Sequence, residues 1–207
     1  ASDIVFGYFR RKALIDYAIA SFLRGKTEPG CRRLLSAACF QMKFQSGIAP
    51  ESAASVAVDF ARFSMGPHQA RFVNAILRRL NETDLDALAK SAPENVMLGF
   101  PSALYGRWAS RFDAAELGRL SSLLRSKPPL AFRASPSVSC PELEKAGCRS
   151  FQLEVLNPRL KFFLSDKPQD ILRGDWLRDG LIYVQDPAAA LAPSMLAPAP
   201  GELVLDI

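Results

Sequence analysis

Four segments with a helical apolar period occupy the first 81 residues and constrain the fold of this chain more than any other feature of its sequence. Within each segment the apolar side chains recur at steps of three and four residues, which places them on one face of an α-helix. Glycines separate the segments, at Gly25, Gly47 and Gly66-Pro67. Short connections between helices favour a bundle, so residues 1–81 are predicted to form an all-helical domain.

The predicted helices of this domain begin and end at recognisable residues. The first spans residues 2–24, Thr27 is placed at the cap of a second that runs to about Phe44, and Pro50 lies in the first turn of a third. Apolar residues at helical spacing are far more often core than base-stacking surface, so they are predicted to face inward. The residues assigned to the core in this way include Phe6, Phe9, Phe40, Phe44, Val56, Phe60, Phe63, Phe72, Val73, Ile76, Leu77 and Leu80.

Residues 82–126 are predicted to form a helical joint. A short helix from Thr83 to Lys90 precedes a stretch marked by proline and glycine, and two further helical runs occupy residues 101–125. The second run starts at Asp113 with Glu116 three residues later, a spacing typical of a capping box.

The character of the sequence changes at Lys127-Pro128-Pro129, where a small α+β region is predicted over residues 127–180. The segments LAFRAS, FQLEVL, LKFFL and LIYVQD are typical of strands, and residues 170–180 are predicted as a loop. GELVLDI, at residues 201–207, has the continuous apolar character of a buried parallel strand. Such a strand pairs either within the small sheet or with a larger α/β domain that follows. The second alternative is favoured, because an unpaired apolar strand is not a stable ending.

The basic residues are concentrated at the front of the chain. Residues 1–80 carry 12 Lys and Arg against 5 Asp and Glu, whereas the remainder carries 14 against 16. This asymmetry fits either a polyanionic partner or ordinary solvated helix faces, and charge by itself does not distinguish the two.

Other features narrow the class of protein. No run approaches the roughly 18–20 apolar residues of a membrane helix, and no signal pattern opens the chain, so no membrane association is expected. Four cysteines without a C-x-x-C spacing and a single histidine predict free thiols, no metal and a cytoplasmic location. The chain has no initiator Met, and we expect the natural protein to begin upstream of Ala1.

Four motifs, in order along the chain, resemble those of the Sun/RsmB-type RNA cytosine-5 methyltransferases. FGYFRRKALIDYAI resembles that family's FGxxR motif followed by an aliphatic–Asp–aromatic triplet, and RFVNAILRRL resembles its N-x-[VI]-L-R helix. KPPLAFRAS is similar to its RPP strand. Residues 181–207 are similar to its VQD segment, the helix that follows and the first Rossmann strand.

The resemblance implies a mainly α fold. Its parts are a NusB-like RNA-binding bundle over residues 1–81, the joint over 82–126, a small α+β subdomain over 127–180 and the incomplete start of a Rossmann-type methyltransferase domain over 181–207.

It further implies an S-adenosylmethionine-dependent rRNA cytosine-5 methyltransferase in which this chain binds and positions rRNA. The family's cofactor loop and catalytic cysteines lie beyond Ile207, so no catalytic or cofactor-binding residue is assigned here, and the chain alone is expected to be inactive. The alternative is a non-catalytic NusB-like RNA-binding or antitermination adaptor. A monomer is expected.

Basic residues are the predicted RNA contacts, because the planar fork of arginine binds phosphate through two hydrogen bonds. Arg10 and Arg78 are equally candidates for a structural role, and Asn74 is interpreted as a buried amide that either pins a loop or contacts RNA. Arg133 is a candidate contact for RNA or for the rest of the protein. The full predicted set is Arg10, Arg11, Lys12, Arg32, Arg33, Arg78, Arg79 and Arg133.

Overall fold

The computed structural model of the chain describes residues 2–152, 156 and 160–205. The chain divides into two compact units, Ala1–Ser126 and Lys127–Ile207. Every element described in the first unit is a helix, and the second unit combines a small antiparallel sheet with short helices. The prediction of a mainly α protein with a helical bundle is therefore confirmed.

The described part of the first unit contains four long helices followed by four shorter ones. Proline occupies the first position of the second, third and fourth helices, where its missing N–H costs no intrahelical hydrogen bond. The helices are α1 (Ser2–Phe22), α2 (Pro29–Phe44), α3 (Pro50–Met65), α4 (Pro67–Glu82), α5 (Leu85–Ser91), α6 (Glu94–Leu98), α7 (Ser102–Trp108) and α8 (Ala114–Arg125).

The core of the first unit is built largely from α1, α2 and α4. Ile15 and Ile19 of α1, Leu35 of α2, and Val73 and Leu80 of α4 have no exposed surface. Burying a side chain of this size contributes ~1.5–3 kcal/mol relative to leaving it in water. The inward face predicted for α4 is confirmed by these residues.

The apolar face predicted for α3 is wrong. Ala57 and Ala61 lie on its buried face, whereas Val56, Phe60 and Phe63 are exposed, Phe63 to 93%. Small side chains allow α3 to pack closely against α2 and α4, with which it makes its main contacts. Periodicity finds a stripe of large apolar residues but does not reveal that a neighbouring stripe of alanines is the one that packs.

The first helix departs from its predicted face in the same way. Phe6 and Phe9 are each 61% exposed, while Gly7 is buried. The ring of Phe40, which is buried as predicted, packs against the Gly7 backbone, and a Cβ at Gly7 would overlap that ring. Glycine here permits close approach of two helices.

The described strands of the second unit are β1 (Leu130–Ala134), β2 (Arg149–Phe151), β3 (Lys161–Ser165) and β4 (Ile182–Val184). They form one antiparallel sheet in the order β2-β3-β1-β4. Helix α9 (Cys140–Lys145) connects β1 to β2, and α10 (Pro168–Leu172) and α11 (Asp175–Arg178) lie between β3 and β4. A β-α-β-β-α-β chain order with this sheet is that of ferredoxin-like folds.

The two faces of the sheet are covered differently. On one face, Phe132 and Phe163 stack with ring centroids 5.9 Å apart, in a core shared with Ile171 of α10. On the other face, Phe162 is buried in a smaller cluster with Leu156 and Ala190.

Three segments predicted in this region agree with the structure to different degrees. The loop predicted over 170–180 is wrong, because α10 and α11 lie there. The predicted strand FQLEVL is seen only at its start, in β2, and residues 153–155 lie outside the described residues. The helix expected directly after the VQD segment is confirmed, as a 3-10 turn, Pro187–Ala190, followed by α12 (Leu191–Leu196).

The strand predicted over 201–207 is not formed in its described part. Residues 201–205 have no regular secondary structure beyond a turn at Gly201, and Leu203 is 99% exposed. A strand exists only when its backbone groups pair with a neighbour, and none of the described strands pairs with this segment. Asp206 and Ile207 lie outside the described residues. Pairing within the small sheet is thus wrong for this segment, and the Rossmann continuation stays a prediction.

Candidate nucleic-acid interface

A groove of ≈ 630 Å³ between α1 and α2 is the place where predicted basic residues meet. Ile4, Tyr8 and Phe9 contribute its apolar and aromatic lining, together with Pro29 at the start of α2. Its cations are Lys12, Arg32 and Arg33, three of the eight predicted contacts.

The start of α2 positions the two arginines. The sequence predicts Thr27 as the cap, but the cap residue is Glu28, whose carboxylate accepts hydrogen bonds from the N–H of Gly30 at 2.9 Å and of Cys31 at 2.8 Å. These hydrogen bonds lower the pKa of Glu28. Arg32 and Arg33 consequently follow directly after the capped start of α2, in its first two turns.

Lys12 is held at the groove by neighbours on its own helix. Its ammonium group forms an ion pair with Asp16, and the hydroxyl of Tyr8 donates a hydrogen bond to the same carboxylate at 2.9 Å. The hydrogen bond from Lys12 to Asp16 raises the pKa of Lys12. The pKa of Tyr8 is also raised, mainly by burial and next by its own hydrogen bond to Asp16. Both groups therefore stay protonated at neutral pH. The side chain of Lys12 is 50% exposed, so its ammonium group remains accessible to a phosphate while it is paired with Asp16.

Arg32 and Arg33 are not held by ion pairs among the described residues, although the charge of Arg33 acts on Glu28 and helps to lower the pKa of that carboxyl group. Both side chains are exposed, and neither takes part in an ion pair found within the described part of the chain. Exposed cations next to aromatic rings are typical of surfaces that bind nucleic acid backbone and bases together.

The other basic residues of the first unit do not join this groove. Successive residues of a helix point about 100° apart, so Arg10, Arg11 and Lys12 do not share a face. The guanidinium of Arg11 lies over the ring of Phe44, 4.8 Å from its centroid, and that of Arg79 lies over Phe22 at 6.0 Å. Burial and then the like charge of Arg125 lower the pKa of Arg11. Arg10 is half-buried.

Arg78 lies in a second groove, between α3 and α4. It forms an exposed ion pair with Glu82 at 3.2 Å, and the neighbouring Arg62 pairs with Asp59 at 2.6 Å. Asn74 lines this groove and is exposed, so the interpretation of Asn74 as a buried amide is wrong. The groove around Arg78 is lined by as many acidic as basic side chains, so it is a weaker candidate for binding phosphate.

Arg133 belongs to the second unit and lies on β1. Its guanidinium is 5.7 Å from the ring centroid of Tyr183 on the neighbouring strand β4. The predicted basic set is therefore distributed over several surfaces, of which the groove between α1 and α2 gathers the most members.

Two groove residues, Tyr8 and Phe9, are not identified as candidates by the sequence. The apolar period of α1 assigns Phe9 to the core instead. A signal is nevertheless present, since Phe9 precedes Lys12 by three residues and so lies beside it on the helix.

The cysteines have no place in this interface. Cys31, Cys39 and Cys148 are buried free thiols, and burial raises the pKa of Cys39 to about 12. Among the described residues, no group of three or more His, Cys, Asp or Glu side chains could hold a metal ion. No described helix is both long enough and apolar enough to cross a membrane.

Comparison with known proteins adds to this geometry. Residues 1–82 match the model of the NusB family. The chain is 24% identical, over 99% of its residues, to the "Probable ribosomal RNA small subunit methyltransferase B" of Bacillus subtilis (strain 168), and covers 47% of that protein. It is 26% identical, over 98% of its residues, to the "Ribosomal RNA small subunit methyltransferase B" of Xylella fastidiosa (strain 9a5c), and covers 48% of it. The chain thus spans about half the length of the curated relatives it matches.

A solved structure resembles the whole chain. The crystal structure of PH0851 superposes with a TM-score of 0.64 over 97% of this chain and 47% of that one, at 19% sequence identity. At that identity the likeness supports the fold alone.

Proposed function

We propose that this chain, which carries a NusB-family domain and is homologous at low identity to rRNA small subunit methyltransferase B along its whole length, binds and positions rRNA for methylation. The methyl transfer would be carried out by a part of the protein outside these residues, on the C5 atom of a cytosine and with S-adenosylmethionine as donor. The chain by itself is proposed to be inactive.

The groove between α1 and α2 is the observation that carries this proposal. It lies within the matched residues 1–82 and combines three cations with the rings of Tyr8 and Phe9. Cations bind phosphate in any sequence context, and aromatic rings accept unpaired bases. The favoured ligand is therefore RNA with an accessible backbone and exposed bases.

The described residues do not fit the methyl donor. Such a cofactor needs a glycine-rich loop directly after a buried strand, so that the backbone can approach it. The resemblance assigns that strand to residues 201–207, and the described part, residues 201–205, is exposed and pairs with none of the described strands. The described residues are therefore given a role in binding RNA and none in the chemical step.

Removing the three groove cations together tests the proposal. We expect the triple variant Lys12→Ala, Arg32→Ala, Arg33→Ala to bind a fragment of small-subunit rRNA at least about tenfold more weakly, because the loss of even one charge-assisted hydrogen bond costs ~1.5–3 kcal/mol. Fluorescence anisotropy with end-labelled RNA measures the affinity, and circular dichroism checks that the helices persist.

The matched control removes the same charge elsewhere in the first unit. Arg107, Arg111 and Arg119 are exposed and lie outside the groove, so their replacement by alanine should reduce affinity much less. Equal losses in the two triple variants would mean that net charge and not the groove governs binding. Absence of RNA binding by the unmodified chain would refute the proposal itself.

A further inference from the structure

The second unit carries an open aromatic surface that lies outside the groove. In the register of the sheet, Arg133 of β1 is directly opposite Phe162 of β3 on one side and Tyr183 of β4 on the other. Residues opposite one another in a sheet project from the same face. Phe162, Arg133 and Tyr183 therefore form one row across three strands.

The two ends of this row differ in exposure. Phe162 is 1% exposed, because Leu156, Ala190 and Leu191 pack over it. Tyr183 is 62% exposed. The face of the sheet is thus closed over β3 and open at the β1–β4 edge.

The guanidinium of Arg133 makes this edge of the sheet suitable for binding a planar ligand. Its half-buried side chain lies beside the ring of Tyr183, and it takes part in no ion pair found among the described residues. A guanidinium stacks on flat π systems and also donates to phosphate. The edge therefore offers an exposed aromatic ring and an uncompensated cation at once.

The net charge of the second unit favours binding of RNA by base stacking over binding by attraction to its phosphates. Residues 127–207 carry 9 Lys and Arg against 10 Asp and Glu. A nearly neutral surface does not attract a duplex through its backbone, whose binding depends on many cations. A surface of this kind gains affinity from a base that lies against the ring.

We propose that Arg133 and Tyr183 form a subsite for one unpaired nucleobase of RNA, with the base stacked on Tyr183 and the adjoining phosphate bound by Arg133. This inference rests on the proposed RNA-binding function. It adds a second contact, in a different unit from the groove, and specifies single-stranded rather than paired RNA at that contact. An aromatic residue on an open sheet face is suited to this role, since in one class of RNA-binding module aromatic residues on a four-stranded sheet stack bases.

Variants of the 207-residue chain test the subsite against two probes, a short fluorescein-labelled single-stranded RNA and a fully paired RNA duplex of the same length. Tyr183→Ala should weaken single-strand binding about five- to 150-fold, the range for losing one stacked base, and leave duplex binding unchanged. Tyr183→Phe should retain the affinity because it keeps the ring. Arg133→Lys should lower it, because lysine keeps the charge but not the plane.

Val184→Ala is the matched control. Val184 neighbours Tyr183 on β4, is 41% exposed and projects from the opposite face of the sheet. Its replacement should leave binding to both probes unchanged. Thermal melting of every variant checks that the sheet is intact.

The outcomes separate this inference from the proposal on which it rests. If Tyr183→Ala binds the single strand as the unmodified chain does, or loses single-strand and duplex binding equally, the subsite is refuted while the groove remains. If the unmodified chain binds neither probe, the proposed function fails, and the subsite fails with it.

Discussion

Gly7 has no side chain, and this allows helices α1 and α2 to pack closely at that position. The ring of Phe40, on α2, occupies the space that a Cβ of Gly7 would fill on α1. The sequence identified Gly7 only as part of a motif. Its physical role, close packing beside the groove, follows from the position of a ring that is 33 residues away along the chain.

We therefore expect Gly7→Ala to lower the free energy of unfolding by ~1–3 kcal/mol, the cost of overpacking a well-filled site. Gly118 is the matched control. It lies within α8, and outside its own helix backbone no atom comes within 4 Å of the position that a Cβ would occupy. Gly118→Ala should therefore stabilise by ~0.5–1 kcal/mol through its better helix propensity. Urea denaturation measures both changes, and a neutral Gly7→Ala would contradict the packing argument.

At the scale of the element, α3 carries two adjacent apolar stripes, one of alanine and one of larger residues. The alanine stripe is buried, and the stripe of Val56, Phe60 and Phe63 is exposed. A helix is positioned by the face that its neighbours can approach, and helices approach most closely over small side chains. Size and hydrophobicity of the residues therefore do not by themselves decide which stripe faces inward.

Substitution of a buried alanine of α3 is therefore expected to destabilise the protein more than substitution of one of its large, exposed apolar residues. Phe63→Ser should change the free energy of unfolding by no more than about 0.5 kcal/mol, because an exposed position has little burial to lose. Ala61→Leu should lower it by ~1–3 kcal/mol, because the larger side chain is forced between packed helices. Chemical denaturation of the two variants is the measurement, and a large loss for Phe63→Ser would show that its ring is packed.

At the scale of the whole molecule, charge is divided between the two units. Residues 1–126 carry 17 Lys and Arg against 11 Asp and Glu, while residues 127–207 are nearly neutral. The proposed contacts differ accordingly: the groove depends on cations, and the edge of the sheet depends on stacking.

Salt titration should therefore reveal the groove. We expect the logarithm of the RNA association constant to fall linearly with the logarithm of salt concentration, with a slope of about −2 to −3 if Lys12, Arg32 and Arg33 each neutralise one phosphate. The groove triple variant should lose most of this slope, whereas Tyr183→Ala should lower affinity without altering it. A slope near zero for the unmodified chain would exclude the groove as a phosphate site.

Local rules account for much of the fold. Proline, glycine and the apolar period predict α1 to α4, and the spacing of Asp113 and Glu116 predicts the capping box that the structure shows at α8. The strands β1 and β3 are also predicted, because each is a short apolar segment and the feature acts within a few residues. Such features depend only on residues close together in the sequence, so they can be predicted from the sequence alone.

The candidate site depended on distant contacts. The sequence determined that the chain has a helical bundle, a basic front and a small α+β region, and its motifs indicated the homology that comparison confirmed. Only the tertiary structure decided that Lys12, Arg32 and Arg33 meet beside Phe9, that Arg11 and Arg79 instead lie over rings, and that Tyr183 stays open beside Arg133. The physical reason is that periodicity fixes which residues share a face, whereas the packing of neighbouring helices and strands fixes which faces remain in contact with solvent.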